Sequence, residues 1–294
     1  MISTRFVSVG AVLLAACLWG TTGTVQTLLP GDREPVAVGA LRLAFGALFL
    51  LGLAVANRES RKAFHLLPPA EVVIAGIAIG GYNLLFFYAV SLSGVGIGTA
   101  LTIGSAPLWA TLWEIFVGRK LPGKMRTAGQ CVSIIGVGML GLVGTTAEGS
   151  VFGIILALGA GACYACYSLA TSRMTQRAPT TTIAAATFSI AAVITLPALL
   201  FVPLGWLADP SAWVGVVFLG FVATGLAYAF YTWGLMHIAA STAVTLALAE
   251  PVTAWLLATF FVGETATMQS VIGAVLVLLG LIIVTCIPVA SRET

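Results

Sequence analysis

Residues 99–118 read TALTIGSAPLWATLWEIFVG, and residues 242–263 read TAVTLALAEPVTAWLLATFFVG. Thr99-Ala100-x-Thr102 recurs as Thr242-Ala243-x-Thr245, Pro107 as Pro251, and Phe116-Val117-Gly118 as Phe261-Val262-Gly263. Outside these stretches Gly129 and Gly136 recur as Gly273 and Gly280, and Trp19-Gly20 is matched by Tyr164-Ala165. Echoes in one order at a near-constant spacing mark an internal repeat.

Both stretches are apolar on every face, and eight similar runs surround them. Candidate helices fall at about 7–29, 36–56, 70–90, 96–117, 128–144, 151–172, 180–203, 213–235, 241–262 and 269–288. Each is close to the roughly 20 residues that cross a bilayer. Strand alternation is absent, which favours spanning helices over a barrel. The composition agrees: 60% of the chain is hydrophobic and 8% charged, against about 25% charged in a soluble domain. Too little charge is present to solvate a globular surface, which excludes a soluble enzyme, a disordered chain and a nucleic-acid binder.

The apolar run after Arg5 contains Leu14-Ala15-Ala16-Cys17, like a lipoprotein cleavage box. It continues to Leu29 and is followed by further such runs, so it reads as a first span. With the N-terminus in the cytoplasm, the cytoplasmic segments hold Arg5, Arg58, Arg61, Lys62, Arg119, Lys120, Lys124, Arg126, Arg173, Arg177 and Arg292. Arg33 alone lies outside, with Asp32, Glu34, Glu148, Asp209 and Glu264, and Arg42 lies within the second span. The positive-inside rule therefore predicts ten transmembrane helices with both termini cytoplasmic. Five spans per half is an odd number, so the halves, 1–146 and 147–294, are expected to cross in opposite senses. Such inverted repeats are common in secondary transporters, whose substrate sites lie between the halves near the midplane.

Ten helices in a five-plus-five repeat, Trp19-Gly20, Pro107, Glu250-Pro251 and the Phe-Val-Gly-Glu run ending at Glu264 resemble the EamA branch of the drug/metabolite transporter superfamily. Within it, the aromatic richness of the central helices is similar to YddG-type amino-acid exporters. The resemblance implies a monomeric carrier in a bacterial inner membrane that exports aromatic and other neutral amino acids by alternating access, without a cofactor. A carrier of another metabolite with proton antiport is the alternative; an integral membrane enzyme is a remote one. One feature departs from symmetry: Ala106 precedes Pro107 where the second half has Glu250.

Arg42, Glu114 and Glu250 are the ionisable groups within the expected spans, where charge faces protein or water. Glu114 reads as an interface residue paired with Arg119 and Lys120. Arg42 reads equally as snorkelling or as paired with a neighbouring helix. Glu250 is the deepest. It either meets a substrate ammonium, with the carbonyl that Pro251 frees one turn earlier, or stabilises a bent helix.

Tyr164 and Tyr167 share a helical face with Ser168 and Thr171; Thr102, Ser105 and Trp109 share another. Tyr82, Asn83 and Phe86 fall in the third span and Tyr228 in the eighth. Mid-span Tyr and Trp need partners for their polar tips. An aromatic cavity formed by Trp19, Tyr82, Asn83, Trp109, Tyr164, Tyr167 and Tyr228, with Glu250, is the expectation. A lipid-facing or core stripe is the alternative. Gly76-x-x-x-Gly80 and Gly94-x-x-x-Gly98 predict close helix approach, with Pro107 and Pro251 as bends.

The five cysteines lie in apolar stretches and read as free thiols, and Cys163-x-x-Cys166 lacks a nearby histidine for a metal site. Among other classes, an enzyme lacks a nucleophile–base pair or paired embedded acids. An ATP-driven pump lacks a phosphate loop, and a channel lacks a selectivity ring.

Overall fold

The computed structural model describes residues 4–119, 121–142 and 150–286. Lys120, Glu148 and Arg292, counted in the charge split, lie outside the described residues. The described residues are helical and contain no strand. The longer helices are α1 (Thr4–Thr27), α2 (Pro35–Ala56), α4 (Pro69–Phe116), α5 (Lys124–Gly141), α6 (Val151–Met174) and α7 (Thr180–Thr195). They are joined by α8 (Pro210–Gly220), α9 (Ala227–Gly234), α10 (Ala240–Leu246), α11 (Ala249–Leu257) and α12 (Met268–Thr285). A short α3 (Arg58–Lys62), capped by the Asn57 side chain, follows α2.

Among the described residues, eight helices are long and apolar enough to cross a membrane. This differs from the sequence expectation of ten for two local reasons. The first is α4, which runs for 48 residues but contains Gly94 at φ 80°, ψ 159°. Glycine takes that positive φ without a Cβ clash, and the chain doubles back there: a Cβ at Gly98 would sit 3.1 Å from the Cα of Val90. Gly94 itself has nothing within 4 Å. It is a turn residue, which corrects its reading as a packing glycine. The second is α5, whose 18 residues include Lys124, Arg126 and Gln130, and which is not among the eight.

Other spans also depart from plain α-helix. A π-helical segment, Phe221–Leu226, joins α8 to α9. In the ninth apolar run α10 and α11 are separate, with Ala247 and Leu248 between them. Pro251 is the third residue of α11, within the first turn, where a missing N–H costs nothing.

The packing alternates between halves. The broadest contacts are α4 with α6, α5 with α12, α2 and α4 with α7, and α1 with α11 and α9. Small residues carry the closest of these. Gly129 faces Gly280, and Gly136 faces Gly273. The lower-numbered glycine of one helix meets the higher-numbered glycine of the other, so α5 and α12 run antiparallel. A Cβ on Gly76 would lie 2.6 Å from Ile190 of α7, whereas one on Gly80 would make ordinary contact with Ala191. Leu278, Leu279 and Ile282 of α12 stay exposed with many other large apolar side chains, as a lipid-facing surface requires.

Candidate functional site

A cavity lies where α1, α2, α4, α6, α9 and α11 converge. It holds about 130 Å³; one water needs roughly 10–15 Å³ on the same measure. A small solute fits. Gln26 and Val95 line it, so it reaches toward the end of the bundle where α1 stops and α4 turns.

Its inner wall is aromatic. The Trp19 ring packs 4.8 Å from Tyr228, 5.3 Å from Tyr231 and 6.1 Å from Tyr164, and Tyr82 lies 5.5 Å from Tyr164. Behind them Tyr167 and Tyr231 are completely buried. The Tyr231 hydroxyl is hydrogen-bonded to Ser168 at 2.8 Å, and Tyr167 reaches Thr232 at 3.5 Å. These rings close the cavity on one side. Gly20 makes this possible, because a Cβ there would lie 2.6 Å from Thr253 and 2.9 Å from the Glu250 carbonyl. α1 and α11 therefore cross at a glycine beside Trp19.

Of the residues expected at the site, Trp19, Tyr82, Tyr164, Tyr228 and Glu250 line the cavity. Tyr167 supports it from behind. Asn83 is buried and packs on α2, its Oδ1 2.5 Å from where a Gly39 Cβ would stand, and does not line the cavity. Trp109 is not brought to it either. It is 40% exposed and its indole donates to the Leu158 carbonyl at 3.1 Å. Helical spacing placed it on the Thr102 face, but two turns further along α4 that face has left the cavity. Pro107 lies buried inside α4, away from the lining. The carbonyl expected to be freed by Pro251 belongs to Ala247, and it accepts the Glu250 N–H at 2.9 Å in a tight turn. Glu250 thus begins a half-helix rather than sitting inside a bent one.

Arg42 is the residue that sequence reasoning under-read. It is 7% exposed, faces the cavity, and donates from Nε to Thr224 Oγ1 at 3.2 Å. Thr224 sits in the π-helical segment and donates to the Leu219 carbonyl five residues back, which fixes its oxygen toward Arg42. An ionisable group in an apolar span was the available signal. Thr22, Thr99 and Thr102 also line the cavity. Trp19 Nε1, Thr22 Oγ1 and Thr102 Oγ1 are buried without a partner among the described residues. Buried donors and acceptors normally have partners, so these lining groups are available to a ligand.

At the opposite end of the bundle Glu114 pairs with Arg126 at 2.5 Å, not with Arg119 as expected; Lys120 lies outside the described residues. Ser241 of α10 donates to Glu114 and accepts from Arg126 at 3.0 Å. Arg173 covers the Trp113 ring at 5.5 Å. No group of three or more metal-ligating side chains occurs among the described residues.

Apolar helices long enough to span a bilayer, packed around an amphipathic cavity, are the architecture expected of a multi-pass membrane transporter. The model of the EamA-like transporter family matches twice, over residues 7–142 and 151–286, and the chain belongs to that family. A Bacillus subtilis protein named as the uncharacterized transporter YwfM is 36% identical, over 94% of this chain and 93% of its own length. The threonine/homoserine exporter RhtA of Escherichia coli K12 is 30% identical over 86% of this chain and 82% of its own. The aromatic amino acid exporter YddG of Ancylobacter novellus is 30% identical over 75% and 76% respectively. A crystal structure at 23% identity shares the fold with a TM-score of 0.80, covering 94% of this chain and 95% of that one.

Proposed function

We propose that this protein is a monomeric secondary transporter of a bacterial inner membrane that exports small amphipathic metabolites, foremost aromatic and other neutral amino acids. The observation that carries this is the cavity: aromatic walls and unpartnered polar atoms meet at the crossing of α1, α2, α4, α6, α9 and α11. Rings stack an apolar side chain and the polar tips take a charged head. Relatives named as exporters of threonine, homoserine and aromatic amino acids support the same class of cargo.

The mechanism follows from an inverted repeat, 1–146 and 147–294. Dividing α4 at Gly94 and including α5 gives ten spans with both termini cytoplasmic. The antiparallel pairing of α5 with α12 supports the inversion, because these helices are the equivalent last elements of the two halves. In this frame the cavity opens away from the cytoplasm. The ring cluster and the Glu114–Arg126–Ser241 contact close the cytoplasmic side. Rocking one half against the other exchanges the open and closed ends around a fixed site. Substrate contact is assigned to Trp19, Tyr82, Tyr164, Tyr228 and Glu250, with Gly76, Gly80, Pro107 and Pro251 shaping the helices that carry them.

The test is exchange of labelled amino acids in proteoliposomes without ATP, with amino acids, nucleosides and sugars as competitors. Competition by neutral amino acids is the expected result. Competition by nucleosides or sugars alone overturns the assignment.

A further inference from the structure

The cavity is lined by one basic and one acidic side chain that form no ion pair with each other. Arg42 enters from α2 and Glu250 from the first turn of α11, and both line the same space. The ion pairs among the described residues are Arg126–Glu114 and Arg177–Glu71, so no salt bridge joins Arg42 to Glu250. Thr224 holds Arg42 by Nε, which leaves the two terminal guanidinium nitrogens without a hydrogen-bond partner among the described residues. The Glu250 carboxylate accepts no hydrogen bond from the protein among the described residues. The remaining lining groups are apolar, aromatic, hydroxyl or amide. The lining therefore holds one acid and one base among otherwise uncharged side chains.

An acid and a base left unpaired in one apolar-walled cavity fit a ligand carrying the complementary pair. A guanidinium with two free N–H groups matches a carboxylate in a fork geometry. A lone carboxylate matches an ammonium. A phosphate ester or a polyamine would satisfy one group and repel the other.

Resting on the reading of this cavity as the substrate site, we propose that Arg42 and Glu250 form a zwitterion clamp. Arg42 receives the α-carboxylate and Glu250 the α-ammonium of one amino acid, while the Trp19–Tyr82–Tyr164 wall takes its side chain. The clamp reads the backbone of the solute and leaves side-chain preference to the rings. Cargo is then selected first for being an α-amino acid.

The experiment is displacement of tritiated threonine and phenylalanine from the purified full-length protein in detergent. The competitors are each amino acid, its decarboxylated amine (1-amino-2-propanol or phenethylamine) and its deaminated acid (3-hydroxybutyrate or 3-phenylpropionate). The unaltered protein is expected to prefer the zwitterion at least tenfold over either singly charged analogue. Glu250→Gln should erase the discrimination against the acid only, and Arg42→Gln the discrimination against the amine only. Arg42→Lys, which keeps the charge, should preserve the ranking with weaker binding, and it carries the test with Glu250→Gln if Arg42→Gln does not fold. An unchanged ranking in folded Glu250→Gln and Arg42→Gln (or Arg42→Lys losing the ranking) would overturn the clamp while leaving amino-acid transport standing. Failure of the unaltered protein to bind either amino acid would overturn the functional reading itself, and the clamp with it.

Discussion

Gly136 of α5 and Gly273 of α12 meet backbone to backbone: a Cβ on Gly136 would lie 2.5 Å from the Gly273 carbonyl oxygen, and one on Gly273 would lie 2.9 Å from that of Gly136. Both neighbours are backbone and cannot swing aside. Gly136→Ala and Gly273→Ala should each destabilise the folded protein by about 1–3 kcal/mol, the usual cost of overpacking. Gly138, on the same helix with nothing within 4 Å, provides the control. There alanine is expected to be neutral or slightly stabilising because of its helix propensity. Denaturation midpoints in detergent measure both, and equal shifts at Gly136 and Gly138 would show that the close approach does not exist.

Trp19 and Trp109 separate cavity from periphery. Trp19 is 4% exposed and touches three tyrosine rings; Trp109 is 40% exposed. Phenylalanine at either position keeps most of the ring. Trp19→Phe should weaken amino-acid exchange by about 1 kcal/mol, roughly fivefold in half-saturation. Trp109→Phe should leave exchange unchanged, losing only its bond to Leu158. The reverse pattern would place the substrate on the other side of α4.

Glu114, Arg126 and Ser241 join α4 and α5 to α10, that is, the first half to the second. The pair is partly exposed, with side-chain accessibilities of 18% and 19%, so its worth lies between a surface pair and a buried one. A double-mutant cycle with Glu114→Gln and Arg126→Gln should return a coupling of about 1–2 kcal/mol. Zero coupling would make the contact irrelevant to closing that end.

Asp209 caps α8 by accepting the Ser211 N–H at 2.8 Å, and that bond holds its carboxyl below the ordinary value of 3.8. The folded-state value is the lower one, so the cap stabilises fully above the ordinary carboxylate range. The stabilisation is lost as pH falls through the lowered value. Asp209→Asn, which keeps an acceptor, should therefore flatten the acid end of the stability profile. Thermal midpoints between pH 7 and pH 3 check this, and a parallel decline in both proteins would discount the cap.

The helical runs, the repeat and the aromatic wall were legible because composition and period report burial directly. Trp19, Tyr82, Tyr164 and Tyr228 could be found from a simple rule: a polar-tipped ring in mid-span needs a wet or hydrogen-bonded neighbour. Trp109 obeyed the same rule locally, yet a carbonyl on α6 satisfies it, and no spacing within one helix reveals a partner on another. Arg42 was visible as a charge but not as a cavity-lining residue, because its orientation depends on Thr224, 182 residues away. Gly94 was misread because a turn and a packing contact use the same residue. The break before Glu250 was hidden because Pro251 accounts equally well for a bend and for the first turn of a new helix.

The most direct test of the account is chemical blockade of the cavity. Thr99 lines it near the open end, and Thr99→Cys can be placed in a protein whose native Cys17, Cys131, Cys163, Cys166 and Cys286 are replaced. In proteoliposomes, a small charged thiol reagent applied to the side on which the 263–267 segment is exposed should modify this cysteine and abolish amino-acid exchange. Saturating amino acid should protect it. Modification that leaves exchange intact, with no protection by amino acids, would contradict the claim that this cavity is the transport pathway.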